Sequence, residues 1–345
     1  QAFFGRVSDF HSQVSVSRMD ARIMSLAEVE EAPLIKEPAK AGGKGRGRFH
    51  CFLAALWNIF LVLCMLPCFF ASSFGFFILS FQSEERAKVG VVMMNSVMMR
   101  VNWAFWNLAV FLCSCWIRVH TEGLADFRAG MSNNDMRPRI ILMNHSSFTD
   151  SIMAMCNLPM SGCSNVKILA ASRIFKMPLF GTMMRGMGHV PVPFTEGLTD
   201  RDDFSVDVAE MEVSGRKFEE WVASGNVGAW FPEGRLSYGD PMQLQQFRAG
   251  GFTVAYRVDC EVWMMVNVGN SDCWPAQETF GGYPASIRYK MYKFSSSTHD
   301  LLTENGFIIG NPDTERGATI FLADTLQSEM QAQMNSLDRE RSSLE

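Results

Sequence analysis

Asn144-His145-Ser146-Ser147-Phe148-Thr149-Asp150 places an imidazole five positions ahead of a carboxylate, and far downstream Phe231-Pro232-Glu233-Gly234 sets a second carboxylate beside a turn residue. Together the two strings point to transfer of an acyl group to an alcohol. On a continuous helix of about 3.6 residues per turn, His145 and Asp150 would diverge by about 140° and could not meet. The apolar run Ile140 to Met143 ahead of them reads as a strand, so His145 falls on a strand-to-helix turn and Asp150 in the following helix. Such a turn can fold one side chain back onto the other. The carboxylate then holds one imidazole tautomer, leaving the second ring nitrogen to take a proton from a substrate hydroxyl near neutral pH. Standing alone, the pair would read as a surface histidine and an aspartate favoured by a helix dipole. The much rarer Phe-Pro-Glu-Gly decides against that. It follows an apolar run, Val227 to Phe231, so Glu233 leaves a sheet at the edge where α/β ligand sites form, and Gly234 permits a sharp turn.

Positioning such groups requires a sheet. Ile140 to Met143, Val166 to Ala170, His189 to Val192, Val227 to Phe231 and Glu261 to Val268 read as strands. Between them Val208, Met211, Gly215, Phe218 and Trp221 fall at helical spacing, with Gly225 as the stop. The alternation predicts an α/β layered domain. His189 is read as a strand residue and not as a second base. An amphipathic C-terminal helix, with Ile320, Ala323, Met330, Met334 and Leu337 on one face, is expected to pack on that domain.

Three regions are expected: a flexible, basic-ended segment over 1–48, a membrane-binding helical region over 49–118, and the α/β domain with its C-terminal helix over 119–345. From Cys51 to Phe81 no residue is charged, which exceeds the ~20 apolar residues of a spanning helix. Pro67 is expected to divide this stretch, giving a kinked span or a re-entrant hairpin. Glu84 to Lys88 should return the chain to water before a second apolar segment, Val89 to Ile117. Within that segment Arg100, at about 2.5 to 3.5 kcal/mol for a charge at mid-bilayer, is expected to snorkel to an interface. Lys36, Lys40, Lys44, Arg46 and Arg48 predict a cytosolic N-terminus, and an even number of crossings keeps the remainder there, for instance at the endoplasmic reticulum. The chain opens on Gln1, which leaves room for a targeting segment ahead of it and makes a plastid envelope the alternative.

A net charge of -5 and a pI near 5.8, without a basic stripe, argue against nucleic acid as a partner. Nine cysteines without Cys-x-x-Cys spacing predict no metal site, and their odd number suits a reducing compartment. Neither the Gly-x-Ser-x-Gly of a serine hydrolase nor the phosphate loop of a kinase occurs.

Asn144 to Asp150 and Phe231 to Gly234 resemble two conserved blocks of the glycerolipid acyltransferase family, which includes the 1-acyl-sn-glycerol-3-phosphate acyltransferases. Phe175 to Gly181 is similar to the stretch before that family's second block, and Phe247-Arg248-Ala249-Gly250 resembles its later Phe-Lys-x-Gly. The resemblance implies a layered α/β catalytic domain behind an N-terminal membrane-embedded helical hairpin. It implies transfer from acyl-CoA, as co-substrate and without a further cofactor, to lysophosphatidate, giving phosphatidate at a lipid bilayer. His145 would be the base and Asp150 its orienting partner. Glu233, Gly234, Arg235, Arg201 and Arg248 would meet the acceptor. The chain departs from the family in two places. Arg235 comes one position early in a block that continues Thr-Arg-Ser, and Asp200-Arg201 follows Gly188 late. The alternatives are another lysophospholipid acceptor, a transacylation between phospholipids, or a non-catalytic membrane scaffold.

Overall fold

The computed structural model describes residues 47–132, 135–193 and 207–343. Two long helices come first, α1 (Arg48–Ser80) and α2 (Glu84–Leu112), packed on each other as a hairpin. Pro67 does not divide α1, contrary to the sequence expectation, although it removes the N–H that would bond the Leu63 carbonyl. The buried residues Leu53, Trp57, Leu61, Cys64, Cys68 and Ser72 recur every three or four positions on both sides of it, so one packed stripe holds both halves in register. The charged run from Glu84 opens the second helix. Glu84 and Glu85 form the first turn of α2, where the helix dipole favours them, and Lys88 pairs with Glu84 at 3.1 Å. The second segment stops short of Ile117, which opens β1 (Ile117–Glu122). Among the described residues, α1 alone is long and apolar enough to cross a membrane.

Among the described residues, seven strands form one sheet in the order β1-β7-β6-β2-β5-β3-β4, adding β2 (Arg139–Met143), β3 (Val166–Ala171), β4 (Val190–Val192), β5 (Val227–Trp230), β6 (Glu261–Val268) and β7 (Ala285–Ser295). All neighbours are parallel except β6 and β7, which run antiparallel. Strands covered on both faces read as unbroken apolar runs, which is why β2, β5 and β6 are visible in sequence. Alternate residues serve two cores. Ile141, Met143 and Met265 face one with the hairpin's Trp57, Met99 and Trp106, while Ile140, Leu142 and Met264 face the other with Leu326, Met330 and Met334. The expected helix appears as Val208–Ala223, and Gly225 follows it in the left-handed region at φ 83. The C-terminal helix Pro312–Ser342 is capped by Asn311. Ile320 points to solvent at 43% exposure, contrary to expectation, because the packed stripe runs through Ala318, Leu322 and Leu326 instead.

Hairpin and sheet domain share a core. Trp103 donates to the Leu158 carbonyl at 2.8 Å, and Asn58 to that of Gly281 at 2.9 Å. Arg100 hydrogen-bonds the hydroxyls of Ser96 and of Ser164 in the sheet domain. His189 precedes β4 and is buried, its Nδ1 accepting from the Ile168 N–H at 3.3 Å. Burial, then nearby Lys167, pushes its pKa down to about 3, so it is a neutral structural acceptor and not a second base.

Candidate active site

Three adjacent parallel strands, β6, β2 and β5, end along one edge of the sheet, and each delivers part of the site. Where the ladder between β2 and β6 stops, side chains continue it. Asn144 donates to the Asn267 carbonyl at 3.0 Å, and the Asn267 N–H donates to Asn144 Oδ1 at 2.9 Å. The chain then turns through Ser146 and Ser147 into the helix Thr149–Asn157.

Asp150 closes that turn. Its Oδ2 accepts from the backbone N–H of Ser146 at 2.7 Å and of Ser147 at 2.8 Å, and lies 3.1 Å from His145 Nδ1. The strand-turn-helix placement expected from the sequence is what the structure has. Asp150 is buried, while 17% of the His145 side chain stays exposed. A carboxylate facing Nδ1 only accepts, so the proton of a neutral imidazole sits on Nδ1 and Nε2 keeps its lone pair. The ring stacks on Phe231 with centroids 4.0 Å apart and planes 14° from parallel, which fixes its plane as the hydrogen bond fixes its spin. Asp150 Oδ1 in turn accepts from the amide of Asn270, which also donates to the Tyr289 hydroxyl at 2.7 Å.

Glu233 is brought to the same turn by Gly234, whose φ of 74 is open to glycine and strained for other residues. Expected to touch an acceptor, Glu233 instead points inward at 1% exposure and spends both oxygens on backbone. Oε1 accepts from the His145 N–H at 2.8 Å and Oε2 from the Gln245 N–H at 2.9 Å. Burial pushes its pKa up to about 7, against those two hydrogen bonds and the nearby His145, which pull it down. Because the Ser237 N–H donates to the His145 carbonyl at 2.9 Å, the segment after β5 grips both backbone groups of His145.

The arginines are less closely gathered. Since Gly234 is in a turn, Arg235 does not continue an extended strand, and its Nε donates to the Gln245 side chain in the Glu233 cluster. The Arg248 N–H donates to the Pro232 carbonyl at 2.8 Å, while its side chain lies on the surface. Arg201 lies outside the described residues. Sequence reasoning missed Asn267, Asn270, Tyr289 and Gln245. The available signal was the pair of asparagines in Asn267-Val268-Gly269-Asn270, polar residues closing an otherwise apolar strand at its ligand-binding end.

A loop joins this turn to the hairpin. Ser147 Oγ donates to the Trp274 carbonyl at 2.7 Å, and Asn58 of α1 donates to the Gly281 carbonyl at 2.9 Å.

Residues 118–266 match the family described as Acyltransferase, a span that contains His145, Asp150, Glu233, Arg235 and Arg248. The match falls on the segment that holds the His-Asp pair. No curated protein matches the chain in a sequence comparison. Among solved structures, the chain is similar to the 1-acyl-sn-glycerophosphate (LPA) acyltransferase PlsC from Thermotoga maritima, with 16% identity and a TM-score of 0.49 over 82% of this chain and 97% of that one.

Proposed function

We propose that the acyltransferase domain moves a fatty acyl group from acyl-CoA to the free hydroxyl of 1-acyl-glycerol-3-phosphate, with His145 as general base. The observation that carries this reading is the 3.1 Å contact of His145 Nδ1 with buried Asp150 inside the family-matching segment. His145 Nε2 takes the proton as the acceptor oxygen attacks the thioester carbonyl. Asp150 stabilises the imidazolium that forms, and the proton leaves with the CoA sulfur when the tetrahedral species collapses. A thioester is already activated, so no covalent enzyme intermediate is needed. Arg235 is the first choice for the acceptor phosphate, because a guanidinium matches phosphate oxygens with paired donors, and Arg201 and Arg248 are the further ones. The hairpin would sit in the bilayer that supplies the amphiphilic acceptor. Phe52, Phe70, Phe74, Phe77 and Phe111 on its outer face are exposed, a face water would not favour. A cytosolic orientation at the endoplasmic reticulum fits the basic run before α1.

A second reading, in which the acceptor is a zwitterionic lysophospholipid or a whole phospholipid serves as donor, draws on Arg235 already resting on Gln245. The test is acyl transfer by purified protein in liposomes, with lysophosphatidate and lysophosphatidylcholine as acceptors and acyl-CoA present or absent. His145→Ala and Asp150→Asn should each lose about 10²- to 10⁴-fold in kcat while membrane association persists. Activity of His145→Ala within a few-fold of wild type would overturn the mechanism.

A further inference from the structure

The His145-Asp150 pair does not end at Asp150. The carboxylate is buried, and an ion taken out of water needs donors on both oxygens to stay charged. Oδ2 has three: two backbone N–H groups within its own turn and His145 Nδ1. Oδ1 is met by the amide of Asn270, 120 residues away in the chain. Asn270 follows β6 directly, beyond Gly269, and its side chain is fully buried. Its second N–H is held by the hydroxyl of Tyr289 on β7 at 2.7 Å.

Two details separate this arrangement from ordinary core packing. The side-chain oxygen of Asn270, Oδ1, is buried with no hydrogen-bond partner, a loss of stability that a residue chosen for packing would not carry. The amide cannot be turned over to relieve it, because that would set its oxygen against the Asp150 carboxylate. Tyr289 is buried too, and burial followed by the Asp150 charge pushes its hydroxyl well above its ordinary pKa. It therefore remains a neutral acceptor that fixes the amide plane without adding a negative charge.

We infer that Asn270 is a positioning residue for acyl transfer, holding the Asp150 carboxylate oriented on His145, and that Tyr289 holds Asn270. The inference rests on the reading of His145 as the base. Without Asn270, Asp150 Oδ1 loses its donor and the carboxylate is free to rotate off the imidazole, which weakens its hold on Nδ1. Asn270 acts through Asp150, so the loss belongs in kcat and not in KM.

Steady-state kinetics should show Asn270→Ala lowering kcat about tenfold or more, with KM for acyl-CoA and lysophosphatidate within twofold of wild type. Asn270→Asp should be worse, since it sets a second carboxyl against Asp150. Tyr289→Phe, which keeps the ring in place, should lower kcat about threefold. Because Tyr289 acts through Asn270, the Asn270→Ala/Tyr289→Phe double variant should be no slower than Asn270→Ala alone. In a His145→Ala background, Asn270→Ala should change the residual rate less than twofold, whereas a merely structural role would still lower it. If Asn270→Ala has wild-type kcat while His145→Ala is inactive, the inference fails and the general-base reading stands. If His145→Ala is itself active, the parent reading fails. Should Asn270→Ala not fold, Tyr289→Phe with native circular dichroism decides, and an unchanged kcat refutes the role.

Discussion

Glu233→Gln isolates one buried ionisation, and its sign can be worked out from the site. Burial raises the Glu233 carboxyl from 4.5 to about 7, and the two N–H donors from Gln245 and His145 do not offset it. A carboxyl raised on folding binds its proton more tightly in the native state than in the unfolded chain. Its contribution to stability is therefore full below about pH 4.5 and is lost as pH rises through about 7. At 1.36 kcal/mol per pH unit, this amounts to about 3 kcal/mol. Glutamine does not titrate and loses nothing over that range. It has a cost that is constant with pH, about 1 to 3 kcal/mol, because its NH₂ must face one of the two N–H groups the carboxylate accepts from. The variant should thus be less stable than wild type at pH 5 and should equal or exceed it at pH 8, the difference moving by about 3 kcal/mol. Thermal melts in one detergent at pH 5, 6, 7 and 8 would show relative midpoints shifting by roughly 5 °C across the series. All other titrating groups are common to the two proteins, so parallel curves for wild type and variant would refute the assignment of this ionisation to Glu233.

Arg235→Ala should raise the KM for lysophosphatidate about tenfold while leaving that for acyl-CoA within twofold, and Arg235→Lys should recover only part of the loss. Equal effects on lysophosphatidate and lysophosphatidylcholine would instead favour the zwitterionic acceptor. Gly282→Ala should destabilise the fold by more than about 2 kcal/mol in denaturant melts, because φ is 97 there and an added Cβ would lie 2.1 Å from the Trp57 ring. A wild-type midpoint would show that the loop can shift away from α1. The protein should resist release from membranes by high salt and alkaline wash, since burial of apolar helix surface is not screened. Release by salt alone would place the hairpin on, and not in, the bilayer.

What could be read from the sequence follows from how far apart in the chain the interacting groups lie. Strands β2, β5 and β6 were legible because a parallel strand covered on both faces has no polar side, so its whole length is apolar. β7 was not, although Ile287, Tyr289 and Met291 are buried at every second position, because Arg288, Lys290 and Lys293 between and after them break the apolar run. β1 fails for the same reason, with one fully buried residue, Ile117, among six. The C-terminal helix was found, but with Ile320 on the wrong face, since several phases of a stripe through Ala, Met and Leu are nearly equivalent until a partner surface selects one. At the site, His145 and Asp150 were legible because a five-residue turn closes on itself through the Ser146 and Ser147 N–H groups, so the contact is local. Glu233 was recognised as a site residue, but its hydrogen bonds to backbone were not legible. Nothing in Phe-Pro-Glu-Gly reveals that Gly234 turns the carboxylate inward onto the His145 and Gln245 backbone. Asn270 and Tyr289 depend on something no linear pattern holds. Their meeting requires β6 beside β2 and β7 antiparallel to β6 in a register that pairs Asn267 with Tyr289, which sets the tyrosine hydroxyl within reach of an amide three residues beyond that pair. A one-residue slip in that register would turn Tyr289 to the opposite face of the sheet and leave Asp150 Oδ1 served by an amide that nothing holds.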